Sequence, residues 1–232
     1  MSIVPKFDEV RAFISHRNLD FLFITETWLK NTVGNCQISL EIYNIYRRDR
    51  FSGQHGGVCV YIKDQINSKR LAELEDPNFE MLWTYTRPTR LPRGVPCVIT
   101  SCVYHPPSSN DNQLLDYLFN SLAKVEGLFP GCAVFMAGDF NQLDVKPLML
   151  SFQMKQWIQH PTRGSSILDL VLTNLHKYYE PRSVEILPPF GHSDHKSIVI
   201  LPKIRQSELP HKRVIVKRNI LDRHVKWNLV AI

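Results

Sequence analysis

Apolar runs of strand length recur along the chain, and each gives way to polar residues. This recurrence constrains the fold more than any other feature. The runs are Leu19–Thr25, Val58–Ile62, Phe79–Thr86, Cys97–Tyr104, Ala133–Ala137, Ile167–Leu172, Ser183–Leu187 and Lys196–Leu201. Several are nearly continuous rather than alternating, as in strands covered on both faces. Helical spacing is confined to three segments. Pro5–Arg17 places Phe7, Val10, Phe13 and Ile14 on one side. Asp111–Val125, with Asp111 as cap, does the same with Leu114, Leu115, Leu118 and Leu122, and Val145–Trp157 is the third. Strands outnumber helices, and several strand pairs are joined by loops too short for a crossover helix. A doubly wound parallel sheet is therefore disfavoured, and an α/β sandwich of mixed sheets with outer helices is expected.

With 232 residues the chain can bury a sizeable core without disulfide or metal staples. Its 44% hydrophobic and 22% charged residues exclude disordered, collagen-like and coiled-coil chains. No apolar run approaches the roughly 18–20 residues of a membrane span, and the start, MSIVPKFDEV, has no apolar signal-peptide core. Five cysteines without a C-x-x-C pair argue against a disulfide framework or zinc site and for an intracellular chain. The net charge of +6 is uneven: residues 202–232 hold eight Lys/Arg against two Asp/Glu, and the rest is balanced. This divides the chain into a domain over residues 1–202 and a basic linker or tail over 203–232, which suits a polyanionic partner.

Polar side chains gather where the strands end. Glu26 follows Phe21–Thr25, Tyr104 and His105 follow Val98–Val103, and Asp139 and Asn141 follow Ala133–Ala137. Asp169 lies within Ile167–Leu172, while Asp194 and His195 precede Lys196–Leu201. Singly, each has an ordinary structural account: a surface carboxylate, a Gly-Asp-x-Asn turn, a loop before Pro106-Pro107. Trp28 and Trp83 read as packing. Jointly they form an oxygen-rich set that suits Mg²⁺ or Mn²⁺ rather than zinc. Such a site can polarise a phosphoryl group while a carboxylate accepts a proton from water and a His-carboxylate pair stabilises charge on phosphate. The pattern points to metal-assisted hydrolysis of a phosphodiester or phosphomonoester.

The strings LDFLFITETWL (19–29), YRRDRFSGQHGGVCVYI (46–62), VYHPP (103–107), FMAGDFN (135–141), ILDLVLTN (167–174) and GHSDHKSI (191–198) carry a resemblance. In this order they are similar to the endonuclease/exonuclease/phosphatase superfamily, and most similar to the apurinic-type endonuclease domains of non-LTR retrotransposons of the LINE type. The resemblance implies a four-layered α/β sandwich, DNase I-like, with two packed mixed sheets flanked by helices. It implies Glu26 and Asp194 as metal ligands for Mg²⁺ (Mn²⁺ as substitute), and Asp139, Asn141, His195, Tyr104 and Asp169 as catalytic residues. Thr162 and Ser193 are implied as phosphate contacts or supports. It implies DNA as partner, no membrane, a nuclear location, and a reverse transcriptase downstream in a full-length element. Family members begin with a core strand bearing an Asn near the metal. Here Met1-Ser2-Ile3 resembles the turn after that strand, so the resemblance expects an N-terminally truncated sheet with unpaired backbone groups. Three functions compete on this reading: a DNA endonuclease that nicks one strand to prime reverse transcription, a phosphatase of the same superfamily, and a catalytically dead remnant that still binds nucleic acid.

Overall fold

The computed structural model describes residues 2–50, 55–204 and 229–231. Twelve strands lie among them: β1 (Phe21–Thr25), β2 (Tyr43–Arg48), β3 (Val58–Lys63), β4 (Asn67–Arg70), β5 (Glu80–Arg87), β6 (Val98–Tyr104), β7 (Ala133–Asp139), β8 (Lys155–Gln156), β9 (Asp169–Thr173), β10 (Tyr179–Leu187), β11 (Ser197–Ile204) and β12 (Leu229–Ala231). Three α-helices accompany them: α1 (Phe7–Arg17), α2 (Asp111–Leu128) and α3 (Lys146–Ser151). The strands form two six-stranded sheets, ordered β10-β11-β12-β1-β3-β2 and β4-β5-β6-β7-β9-β8. Each is mixed: β12–β1 is parallel in the first and β6–β7 in the second, with antiparallel pairing elsewhere.

Period-two alternation explains the continuous apolar runs. Along β7, Phe135 and Ala137 face the core between the sheets, while Val134 and Met136 face the helices over the second sheet. Along β1, Phe21 and Phe23 point into the same inter-sheet core, and Leu22 and Ile24 point to the other side. Both faces are covered, so every position is apolar. Between the sheets the Phe23 and Phe135 rings lie 5.6 Å apart, with Trp157 6.3 Å beyond Phe135. Phe7, Val10 and Ile14 of α1 pack on Leu22, Ile24, Cys59 and Tyr61 of the first sheet. Leu114, Leu118, Leu122 and Val125 of α2 pack on Trp83, Ile99, Val103 and Met136 of the second. The layers are helix, sheet, sheet, helix.

Three local expectations change. Helix α2 is capped by Asn110, whose side chain accepts from the Gln113 N–H at 3.1 Å, and Asp111 is its first helical residue. The helix expected over Val145–Trp157 stops at Ser151. A turn with Gln153 at φ +51° reverses the chain, and Lys155–Gln156 joins the edge of the second sheet beside β9. This turn delivers Trp157 to the inter-sheet core, a tertiary gain that outweighs continued helix. Finally, the first sheet is not left open at its centre. Residues 229–231 sit between β1 and β11, with Phe21 opposite Leu229 and Ile198 opposite Ala231. Strand β11 runs to Ile204, two residues into the segment expected as a tail; residues 205–228 and 232 of that segment lie outside the described residues.

Candidate active site

Adjacent strands of the second sheet end in step, and this register builds the site. Tyr104 closes β6 opposite Asp139, and Asp139 closes β7 opposite Asp169, the first residue of β9. Gly138 makes the approach possible: it has φ +144°, and a Cβ there would lie 2.0 Å from the Val103 carbonyl oxygen. Asn141 completes the turn at φ +49°, with its N–H donating to Asp139 Oδ1 at 2.9 Å. Its side-chain nitrogen donates to the His105 carbonyl at 2.6 Å, so the oxygen is the atom it offers the site.

His195 precedes β11 in the opposing sheet and crosses to this row. Its Nδ1 lies 2.9 Å from Asp169 Oδ2, and its Nε2 lies 3.9 Å from Asp139 Oδ2. The Asp169 contact assigns the proton to Nδ1 and leaves Nε2 facing Asp139. From the end of β1 comes Glu26, whose Oε1 accepts from the Tyr104 hydroxyl at 2.5 Å. Both sheets thus deliver carboxylates to one rim. A cavity of about 100 Å³ lies there, lined by Lys6, Glu26, Asp139, Ser193, Asp194 and His195 among others.

Crowded charges shape the electrostatics. Burial, then the Asp169 carboxylate, push the Asp139 carboxyl up to about 7, although His195 and the Asn141 N–H act the other way. Burial pulls the His195 imidazole down, but its bond to Asp169 and the charges of Asp169, Asp139 and Asp194 raise it overall. Burial, together with the Glu26 bond, raises the Tyr104 hydroxyl and keeps it a donor. Asp194 is the outlying member. Burial raises it, but the backbone bond and the Arg163 ion pair at 2.5 Å prevail and hold it low.

The two residues named as phosphate contacts or supports both bond to backbone beside the site. Thr162 is fully buried, and its Oγ1 accepts from the N–H groups of Leu168 and Asp169 at 3.0 and 3.1 Å. It fixes the backbone that presents Asp169. Ser193 Oγ accepts from the His195 N–H at 3.3 Å.

Two other residues near the site, Lys6 and Glu9, carry no sequence signal of their own. Lys6 reaches the cavity from the turn before α1, and Glu9 of α1 accepts from the Gly191 N–H at 3.0 Å, steadying the loop that holds His195. His105, expected as a structural loop residue, is buried just after β6, has Nε2 2.7 Å from Asp111 and ties the Asn141 support to the start of α2. Only the helical spacing of Pro5–Arg17, which places α1 against the first sheet, hinted at the first of these. A larger groove of about 1570 Å³ begins at Tyr104, but its arginines are matched by carboxylates: Arg47 by Asp49, Arg48 and Arg70 by Glu75, Arg50 by Glu80.

Asp139, Asp169 and His195 each bring a ligand atom within 4.8 Å of the others. With Glu26 and Asn141 nearby, the donors are mainly oxygens, which fit a hard divalent cation. A family model described as the Endonuclease/Exonuclease/phosphatase family matches residues 4–195. The chain belongs to that family. Its members are metal-dependent phosphoesterases, and the two mixed sheets with flanking helices are their DNase I-like fold. Among solved structures, the endonuclease domain of TRAS1, a telomere-specific non-LTR retrotransposon, is similar with a TM-score of 0.61 at 11% identity, covering 85% of this chain and 91% of that one. The human Nocturnin catalytic domain, with bound sulfate anion, gives 0.64 at 16% identity over 87% and 86%. An AP endonuclease from Archaeoglobus fulgidus gives 0.53 at 15% over 84% and 93%. Comparison with curated proteins by sequence gives no match. Among the described residues, no helix is long and apolar enough to cross a membrane.

Proposed function

We propose that the chain is a Mg²⁺-dependent DNA endonuclease of the retrotransposon type, which nicks target DNA in the nucleus to open a primer for a reverse transcriptase. One observation carries the hydrolytic part: the Asp169–His195–Asp139 relay meets Glu26 and Tyr104 at one rim, on the ends of strands from both sheets. The retrotransposon part is supported by the TETW, VYHPP and GDFN strings and by the TRAS1 likeness in fold.

In this reading Glu26 would hold the metal, with Asp194, which lines the same cavity, as second carboxylate; a divalent ion held there would supply Lewis-acid polarisation of the phosphoryl group and charge stabilisation at the leaving oxygen. Asp139 Oδ2 accepts the proton of an attacking water, whose oxygen forms the new P–O bond as the ester P–O bond breaks. Asn141 orients that water through its amide oxygen. His195, held by Asp169 through Nδ1 and raised in pKa, in its doubly protonated form donates from Nε2 to a phosphate oxygen as charge builds. Tyr104 contacts the scissile phosphate. Thr162 and Ser193 keep Asp169 and His195 in place.

The test is conversion of supercoiled plasmid to open circle. Conversion with Mg²⁺, none with EDTA and none by an Asp139→Ala, Asp194→Ala double variant supports the reading. Hydrolysis of phosphomonoesters with intact plasmid would replace it by the phosphatase reading. DNA binding without cleavage by folded protein would make the chain a binding remnant.

A further inference from the structure

Glu80 stands outside every role assigned above. It opens β5, directly opposite Tyr104 on β6. Its side chain is only 15% exposed, and both its oxygens are engaged. Oε1 accepts from Arg50 Nε at 2.8 Å, and Oε2 accepts from the Gly57 backbone N–H at 2.5 Å. Gly57 and Gly56 in turn hold the chain that leaves β1. The Gly57 carbonyl accepts from the Thr27 N–H at 3.1 Å, and the Gly56 carbonyl accepts from the Trp28 N–H at 2.8 Å.

The segment held in this way is an unusual one. Glu26 and Trp28, on either side of buried Thr27, both sit at φ +52°. Side-chain-bearing residues keep that conformation only where their surroundings over-determine it. The surroundings here leave no slack. A Cβ on Gly56 would lie 2.2 Å from Glu80 Oε2, and one on Gly57 would lie 2.8 Å from Thr27 Oγ1. The bonds form a path from the Arg50–Glu80 pair through Gly57 to Thr27, and Glu26 is the next residue.

We infer that Glu80 is a positioning residue for the metal carboxylate: through Gly57 and Thr27 it fixes the turn that presents Glu26, and so sets the affinity of the site for a divalent cation. The inference rests on the functional reading above. A carboxylate is needed because two acceptor oxygens serve two donors. Glutamine has one acceptor oxygen, and its NH₂ would face either Arg50 or the Gly57 N–H.

The experiment titrates Mn²⁺ into the full chain and its Glu80→Gln variant by isothermal calorimetry, and follows plasmid nicking against Mg²⁺ concentration. The expected result is a roughly 10–100-fold weaker Mn²⁺ affinity, the range typical of lost outer-sphere support. Nicking should need more Mg²⁺ for half-maximal rate and recover most of its rate at saturation. Circular dichroism should stay unchanged. Equal Mn²⁺ affinity in folded Glu80→Gln overturns the inference. If Glu80→Gln does not fold, Arg50→Gln keeps the Glu80–Gly57 bond and loses the cation; a smaller weakening supports the inference, and none overturns it. A wild-type chain that neither binds Mn²⁺ nor nicks plasmid removes the functional reading and the inference together. One that does both, matched by Glu80→Gln, removes the inference alone.

Discussion

A carboxyl enclosed like Asp139 keeps its proton to about pH 7 in the folded chain, whereas in an unfolded chain it loses it near 4. Between those values the folded state binds more protons, so without metal its stability falls as pH rises. His195 acts in the same sense. Its raised folded pKa gives stability below the unfolded value of about 6.5, lost as pH passes the folded one. The metal-free Tm should therefore drop between pH 5 and 8 in a thermal scan, and drop less in Asp139→Asn. Added Mg²⁺ should raise Tm more at pH 8 than at pH 5.5, because its ligands must be deprotonated. Lys6 belongs to this scale as well. Burial lowers its pKa, against Glu9, Glu26 and Asp194, and its ammonium is the cation on the α1 side of the cavity. Lys6→Met should weaken DNA binding measured in EDTA and flatten the salt dependence by about one charge. These residues differ in how visible they were. Tyr104, Asp139 and His195 stand out because each flanks an apolar run, and Asp169 because it interrupts one. Lys6 and Glu80 lie in ordinary polar surroundings, and their roles depend on contacts from distant parts of the chain.

Among the elements, β7 shows most directly how a strand delivers chemistry. Its alternation fills two cores, and its last residues bring Asp139 against β6 through Gly138. Gly138→Ala places a methyl on the Val103 carbonyl, at a φ that other residues rarely adopt. Chemical denaturation should show a loss above about 3 kcal/mol, the range of severe core lesions. The strands were legible because both of their faces are buried, so composition marks them. Helix α3 was overdrawn because Val145–Trp157 satisfies helical spacing, and nothing local announces the turn at Gln153. The contact that decides it, Trp157 near Phe135, is a tertiary one.

For the molecule as a whole, run lengths and short loops argue a sandwich of mixed sheets with outer helices, the resemblance adds the four layers, and neither gives the strand order. Three residues, 229–231, carry no periodic signal, yet they occupy the middle of the first sheet. Both of their neighbours lead to the site: β1 runs into Glu26, and β11 follows His195. Val230→Pro removes a backbone donor from a strand paired on both sides. Hydrogen exchange should speed up in β1 and β11, while β5, β6 and β7 keep their protection; uniform protection in the variant would show that the strand contributes nothing.

The position of β12 also sets an order of events during synthesis. Every strand of the second sheet lies between residues 67 and 173, so that sheet can close while later residues are still being made. Strand β1 emerges among the first segments and must wait for residues 229–231 before the sheet around it is continuous. Pairings so far apart in sequence form slowly. A chain ending shortly after residue 204 would hold every strand of the second sheet but leave β1, beside Glu26, without its parallel partner.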